Sequence, residues 1–277
     1  MASSLHAAPS RAPLNPEFNR LSKLQAYDNT DAAARPLGFR APPLRLDHLA
    51  RVQGRAGFTA RALPSRFDLR KLGRVSPVKD QGPDGVCWAF ASYGSLESCL
   101  LPKEKWDFSE NNMVNLLSEN CPDGYDREVG GGGNELMSTG YLARWSGPVS
   151  EADDPYKPGG EPECRQYTPL KHINRVLYLP DRRNATDNAA IKTAIMNYGA
   201  VFSTIYYEDS SFQADNSAYY YKGSLPSNHA ICLVGWDDSY SRKKFASRPP
   251  GNGAFIAQNS WGTDWGDKGC FYISYHD

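Results

Sequence analysis

What this 277-residue chain lacks narrows its class. It has no charge surplus, since 31 Lys and Arg face 31 Asp and Glu, so tight binding to nucleic acid or anionic lipid is not expected. Its longest apolar runs, such as Ala230-Ile231-Cys232-Leu233-Val234, are strand-length, whereas a membrane-spanning helix needs about 20 apolar residues. Six cysteines are too few for a disulfide scaffold, and none stands in a C-x-x-C pair, which removes zinc-ribbon and thioredoxin-type signatures. Gly130-Gly131-Gly132-Gly133 lacks the Lys and Ser/Thr of a phosphate-binding loop. No cofactor and no metal are therefore expected. Met1-Ala2-Ser3-Ser4 has neither a basic nor an apolar leader region, so no signal peptide is visible. Location stays open, with a secreted or periplasmic setting favoured. What is present is core material: 12% aromatic residues, and 24 Gly and 20 Pro without collagen-like period, which argue for a globular chain.

The chain divides near residue 62. Residues 1–62 are rich in Ala, Arg and Pro, lack a sustained hydrophobic period, and include a breaker-laden stretch over 35–43, so by composition they read as a tail. Beyond them, helices are expected over 87–101, 109–118, about 134–145 and 186–198, the last with Thr186 as N-cap. Strands are expected over 201–207, 218–222, 230–236, 253–258 and 270–275. Helices first and strands later predict an α+β chain of two lobes.

Three segments carry chemistry. In Gln81-Gly82-Pro83-Asp84-Gly85-Val86-Cys87-Trp88 a glycine-containing turn ends just before a helix pattern, placing the Cys87 sulfur where unpaired N–H groups favour thiolate. A buried structural cysteine is the alternative. Only five histidines occur. His6 and His48 lie in the atypical N-terminal segment, His276 is next to the terminus, and His172 has no motif around it. His229, at the mouth of the strand in Asn228-His229-Ala230-Ile231, is the candidate base. In Gln258-Asn259-Ser260-Trp261-Gly262 the Asn259 amide can accept from one imidazole nitrogen and fix the tautomer. Trp261 would keep water off that bond, while Trp265 reads as core packing.

With these segments in view, the chain resembles the papain family of cysteine peptidases, as a bacterial-type member with a short, atypical N-terminal pro-region. The likeness runs from Leu63-Pro64-Ser65-Arg66-Phe67-Asp68 to the C-terminal strands, with His229 142 residues and Asn259 172 residues after Cys87. It implies a papain-like α+β fold with a helical left lobe, mainly 81–170, and an antiparallel β-barrel-like right lobe, mainly 171–277 plus 63–80. The active site would lie in the cleft between them. Residue by residue, it implies Cys87 as nucleophile, a thiolate beside protonated His229 with a thiol pKa of about 3–4. Asn259 would orient His229, and Gln81 with the Cys87 N–H would form the oxyanion hole. Gly132 and Gly133 would pair with an extended peptide, and Asn228 and Trp261 would contribute to substrate binding.

Cys121 and Cys164 fall near a family bridge and form the one disulfide expected. Asp84 stands where the family usually has a cysteine, so a second bridge is missing, and Cys99, Cys232 and Cys270 are expected as buried thiols. The stretch 116–129 has no histidine, unlike the occluding loop of carboxydipeptidase relatives, which favours endopeptidase activity. The expected protein is a self-inhibited monomeric precursor acting on peptide or protein substrates. Its own residues 1–62 would be a pro-region over the cleft, removed near residues 60–63, or else an arm buttressing the lobes, with 63–277 as the peptidase domain. Residues 1–62 hold nine basic and four acidic residues, leaving 22 and 27 in the remainder, a complementarity that suits docking of one on the other. A papain-fold acyltransferase of the transglutaminase kind, or a non-catalytic peptide- or ligand-binding protein, are the competing functions.

Overall fold

The longest apolar run of the chain becomes the centre of its sheet. In the computed structural model, which describes residues 12–23, 37–46 and 62–277, His229–Asp237 forms a nine-residue strand, β5, buried along its whole length. A strand covered on both faces can be apolar throughout instead of alternating. Along one edge it pairs antiparallel with β1 (Arg66–Asp68) and β2 (Val201–Ile205), Ile205 lying opposite His229. Its other edge takes β6 (Ala254–Gln258), with a register shift between Leu233 and Gly235. β7 (Cys270–Ser274) follows antiparallel, and then the two-residue strands β4 (Ala218–Tyr219) and β3 (Phe212–Gln213). β4 runs parallel to β7, so the lobe expected to be antiparallel and barrel-like is a mixed, mostly antiparallel sheet.

Four helices accompany the sheet after residue 62. α2 (Cys87–Leu100) packs on β5 and buries Cys87, Trp88, Ala89, Phe90, Ala91 and Tyr93. α3 (Glu110–Leu116) starts at Ser109, whose Oγ accepts the Asn112 N–H, and α4 (Glu135–Ala143) at Asn134, whose Oδ1 accepts from Leu136 and Met137. Such caps satisfy N–H groups that a helix start leaves open. α5 (Ala189–Tyr198) follows Asn188, not the expected Thr186. Thr186 donates both its N–H and its hydroxyl to Asn184 Oδ1, at 2.9 and 2.7 Å, and this local turn displaces the helix start. A short helix, α1 (Pro16–Lys23), lies in the segment read as a tail. Beside it, Asn15 and Arg45 donate backbone bonds to Pro43 and Pro13.

Cys121 and Cys164 are disulfide-bonded. Cys232 and Cys270 are buried thiols, but Cys99 is exposed, at the rim of a cavity it shares with residues of β2. Among the described residues, no helix is long and apolar enough to cross a membrane.

One charged cluster ties the chain before α2 to α2 and α3. Lys79 Nζ lies 2.9 Å from Glu110, 2.7 Å from Asp107 and 3.8 Å from Glu97, and donates to the Phe108 carbonyl. Glu110 and Glu97 are buried, and burial pushes Glu110 up to about 8. The fold holds that proton to about pH 8, whereas an unfolded glutamate releases it near 4.5, so stability falls as pH rises between those values. Lys79→Met strands two buried carboxylates, and the expected loss is about 3 kcal/mol. Urea unfolding should show a larger deficit at pH 9 than at pH 6; a pH-independent deficit would contradict this account of the cluster.

Candidate active site

The three sequence-predicted side chains meet where α2 points at the start of β5. Cys87 is the first residue of α2, and its sulfur accepts the Ala230 N–H at 3.2 Å. His229, one residue earlier on β5, has Nε2 2.8 Å from Asn259 Oδ1. Asn259 follows β6 directly, so the β5–β6 pairing sets that distance. The Ser260 N–H also donates to Asn259 Oδ1, at 2.9 Å. An N–H can donate only to the oxygen of an amide, so the carboxamide orientation is fixed and Nε2 must carry its proton. The lone pair is then on Nδ1, which is buried and has no hydrogen-bond partner among the described residues. The Trp261 ring stacks on the imidazole at 4.6 Å and covers His229.

Gln81 is fully buried and is oriented by the same loop. Its Oε1 accepts from Ser260 Oγ at 2.6 Å, and its Nε2 donates to Asp84 O at 2.8 Å and to Leu37 O at 3.2 Å. Asp84, at the position of the missing cysteine, anchors the loop differently. Its Oδ2 accepts the Gly159 N–H at 2.8 Å and lies 3.1 Å from the Tyr156 hydroxyl, which donates to Gln81 O at 2.7 Å.

Residues 37–41 run through this cleft. Gly133 N–H donates to Gly38 O and Arg40 N–H to Gly133 O, both at 2.9 Å, so Phe39 and Gly133 pair in parallel. On the other side, Phe39 N–H donates to Asn228 O at 2.9 Å. Leu37, Phe39 and Ala41 are all buried. Glycine is required twice here. A Cβ on Gly38, whose φ is +110°, would lie 2.1 Å from the Gly85 carbonyl carbon, and one on Gly133 would lie 2.4 Å from the Trp88 indole. The Asn228 side chain faces elsewhere, bonded to the Tyr207 N–H and carbonyl at 2.6 and 3.0 Å, so it meets the segment through its backbone alone.

Some functional neighbours escaped sequence reasoning. Arg127 is buried and donates to the carbonyls of Gly132 (2.7 Å), Val114 (3.0 Å) and Val129 (2.5 Å), with its guanidinium over Trp88. It braces the strand that pairs with the segment. In Tyr125-Asp126-Arg127-Glu128 it has the look of a solvated loop charge, and no local pattern marks it. Asp84 was noticed only as an absent cysteine.

The ionisation state differs from the expected ion pair. Cys87 and His229 are both wholly inaccessible to solvent. Burial pushes the Cys87 thiol up to about 12, against the pull of backbone N–H groups of Ala230, Trp88 and Cys87. It lowers His229 to about 4, against the Asn259 hydrogen bond. Burial favours the neutral form of each group, which works against the expected thiolate–imidazolium pair.

Known proteins share this arrangement of chain. The family described as papain family cysteine protease matches residues 63–277. Cysteine proteinase 1 of Entamoeba histolytica is 29% identical over 275 residues, covering 94% of this chain and 72% of its own length. Cathepsin K of Gallus gallus is 33% identical over 212 residues, covering 74% of this chain and 57% of its own. The crystal structure of the cysteine protease and lectin-like domains of Cwp84, a surface layer associated protein of Clostridium difficile, has a TM-score of 0.71 at 28% identity, covering 97% of this chain and 57% of that one. Digestive procathepsin L2 from Tenebrio molitor larval midgut has a TM-score of 0.57 at 26% identity, covering 78% and 64%. Apart from the Entamoeba protein, these relatives are matched over less than two thirds of their own length. By the family match over residues 63–277, the chain belongs to the papain family of cysteine proteases.

Proposed function

We propose that this chain is a cysteine endopeptidase made as a self-inhibited precursor of bacterial type, with residues 1–62 as its pro-region and 63–277 as its catalytic domain. The observation that carries the reading is the peptide already in the cleft: Leu37 O sits on Gln81 Nε2 while Phe39 and Arg40 pair with Asn228 and Gly133. A substrate carbonyl placed on the same donor would have its developing charge met by Gln81 Nε2 and the Cys87 N–H.

Once the site is uncovered, the Cys87 proton passes to His229 Nδ1 and the thiolate attacks the carbonyl carbon. As the tetrahedral oxyanion collapses, the imidazolium gives its proton to the leaving amine. Water, deprotonated by His229, then hydrolyses the thioester and regenerates the thiol. Asn259 holds the imidazole in one orientation through both half-reactions. The stretch 116–129 has no histidine, unlike the occluding loop of carboxydipeptidase relatives, which favours endopeptidase action. The basic 1–62 against the acidic remainder assists docking of the pro-region.

The test is hydrolysis of a fluorogenic peptide library, and shortening of the chain near residues 60–63, by wild type and Cys87→Ala under reductant at pH 5 to 7. Wild type should cleave and shorten, and Cys87→Ala should lose at least about 10³-fold. Asn259→Ala should lose about 10²-fold, on the scale known for partners that orient a histidine. Equal activity in wild type and Cys87→Ala would overturn the reading. Latency has its own test. Gly38→Ala cannot hold the segment against Gly85, so iodoacetamide should alkylate Cys87 at least about tenfold faster than in wild type, where a thiol at about 12 holds little thiolate. Acid acts in the same direction. Covering favours neutral His229, a contribution fully present above its ordinary value of 6.5 and lost as pH falls toward 4. Self-shortening should therefore accelerate across that window, and a rate that slows as pH falls would contradict it.

A further inference from the structure

Beside Phe39, which pairs with Gly133, lies a cavity of about 990 Å³. Phe39 lines it together with short hydroxyl side chains, Ser138, Ser203, Thr204 and Ser227. Three carboxylates stand in the same lining: Glu17 on α1, Asp181, which pairs with Arg45, and Glu135, two residues beyond Gly133 and the first residue of α4. A glutamate in a first helical turn is ordinarily explained by the helix dipole, but this one is only partly solvated. It is half-buried, burial raises its pKa, and no cation is paired with it among the described residues. The arginines of the cavity are engaged or outlying. Arg45 bonds Asp181 at 3.3 Å, Arg182 is held by Asn188 and by the carbonyls of Tyr275 and Asp277, and Arg175 is exposed. The aromatic ring of Phe39 offers Glu135 no compensating charge.

We infer that Glu135 is a specificity-determining residue, and that the pocket beside Phe39 accepts a lysine or arginine side chain from the substrate residue that pairs with Gly133. The inference rests on the peptidase reading for its substrate. Its geometry stands on the cavity, the carboxylate and the seated segment. A long basic side chain would extend its methylenes past the volume of a phenyl ring, bring its cation to Glu135, and donate its remaining N–H groups to the surrounding hydroxyls. A guanidinium fits a carboxylate with two parallel bonds. An acidic side chain in the same place would meet like charge.

Two arms test this, one of which needs no turnover. In the first, the full chain is incubated under reductant at pH 5 and then assayed at pH 7 on peptide series varied over Arg, Lys, Leu, Phe and Glu at each position before the cut. At one position Arg or Lys should exceed Leu and Phe at least tenfold in kcat/KM, with Glu poorest, and Glu135→Gln should flatten the preference. Equal or faster cleavage with Leu or Phe at every position, or an unchanged preference in Glu135→Gln, overturns the inference and leaves the peptidase reading standing. Absence of cleavage of every peptide instead overturns the peptidase reading. The second arm then still decides whether the pocket takes a cation. In the full chain, Phe39→Arg should slow iodoacetamide alkylation of Cys87 at least threefold, and Glu135→Gln should remove that slowing. Alkylation that is unchanged or faster in Phe39→Arg, or slowing that persists in Glu135→Gln, overturns the inference.

Discussion

Ser260 orients two side-chain amides at once, and the proton positions of the cleft follow from it. Its backbone N–H donates to Asn259 Oδ1, which leaves the imidazole only one way to bond, with the proton on Nε2. Its hydroxyl donates to Gln81 Oε1, which turns the Gln81 NH₂ toward Asp84 O and the cleft. The loop is itself held, because Gln81 N–H donates to Ser260 O and Gly262 N–H to Lys79 O. One residue between β6 and Trp261 thus couples the candidate base to the candidate oxyanion donor. Within this network His229 Nδ1 and Asn259 Nδ2 are the buried polar atoms without a hydrogen-bond partner among the described residues. Around Gln81 the remaining bonds come from Asp84 and Tyr156, in the place where a disulfide might have been.

The second constraint is the removal of water. In the buried site the same cause favours the neutral form of both Cys87 and His229: neither charge can be solvated there. The closing segment binds mainly through its backbone, which explains why Gly38 and Gly133 matter more than side-chain chemistry at the crossing. It also explains how a segment with few hydrophobic features can dock. Three buried apolar residues, Leu37, Phe39 and Ala41, add to the main-chain bonds.

Much of this was legible in the sequence. The turn before Cys87, the strand carrying His229 and the amide after β6 each have a local pattern, and the continuous apolar run identified the central strand. Less legible were features that depend on long-range geometry. Arg127 is polar, lies in a loop and becomes buried only because Gly132, Val114 and Val129 converge on it. The thiolate–imidazolium pair is expected from Cys87 and His229 alone; the burial that works against it comes from packing of the whole surrounding fold. The stretch 35–43 reads as breaker-laden tail, whereas residues 37–41 are held through their backbone, and a peptide bound in that way has no periodicity to show. The N-cap at Thr186 failed because Asn184 offered a competing turn, and the parallel β4–β7 pair involves strands too short to carry a pattern.

The central claim, that the covered site holds a neutral pair with the imidazole proton fixed on Nε2, is open to direct measurement. ¹⁵N chemical shifts of His229 in the full-length chain, titrated from pH 8 to pH 3.5, report both tautomer and ionisation. The account predicts a neutral Nε2–H imidazole that titrates only at about pH 4. An imidazolium already present at pH 6, or a neutral ring protonated on Nδ1, would contradict it.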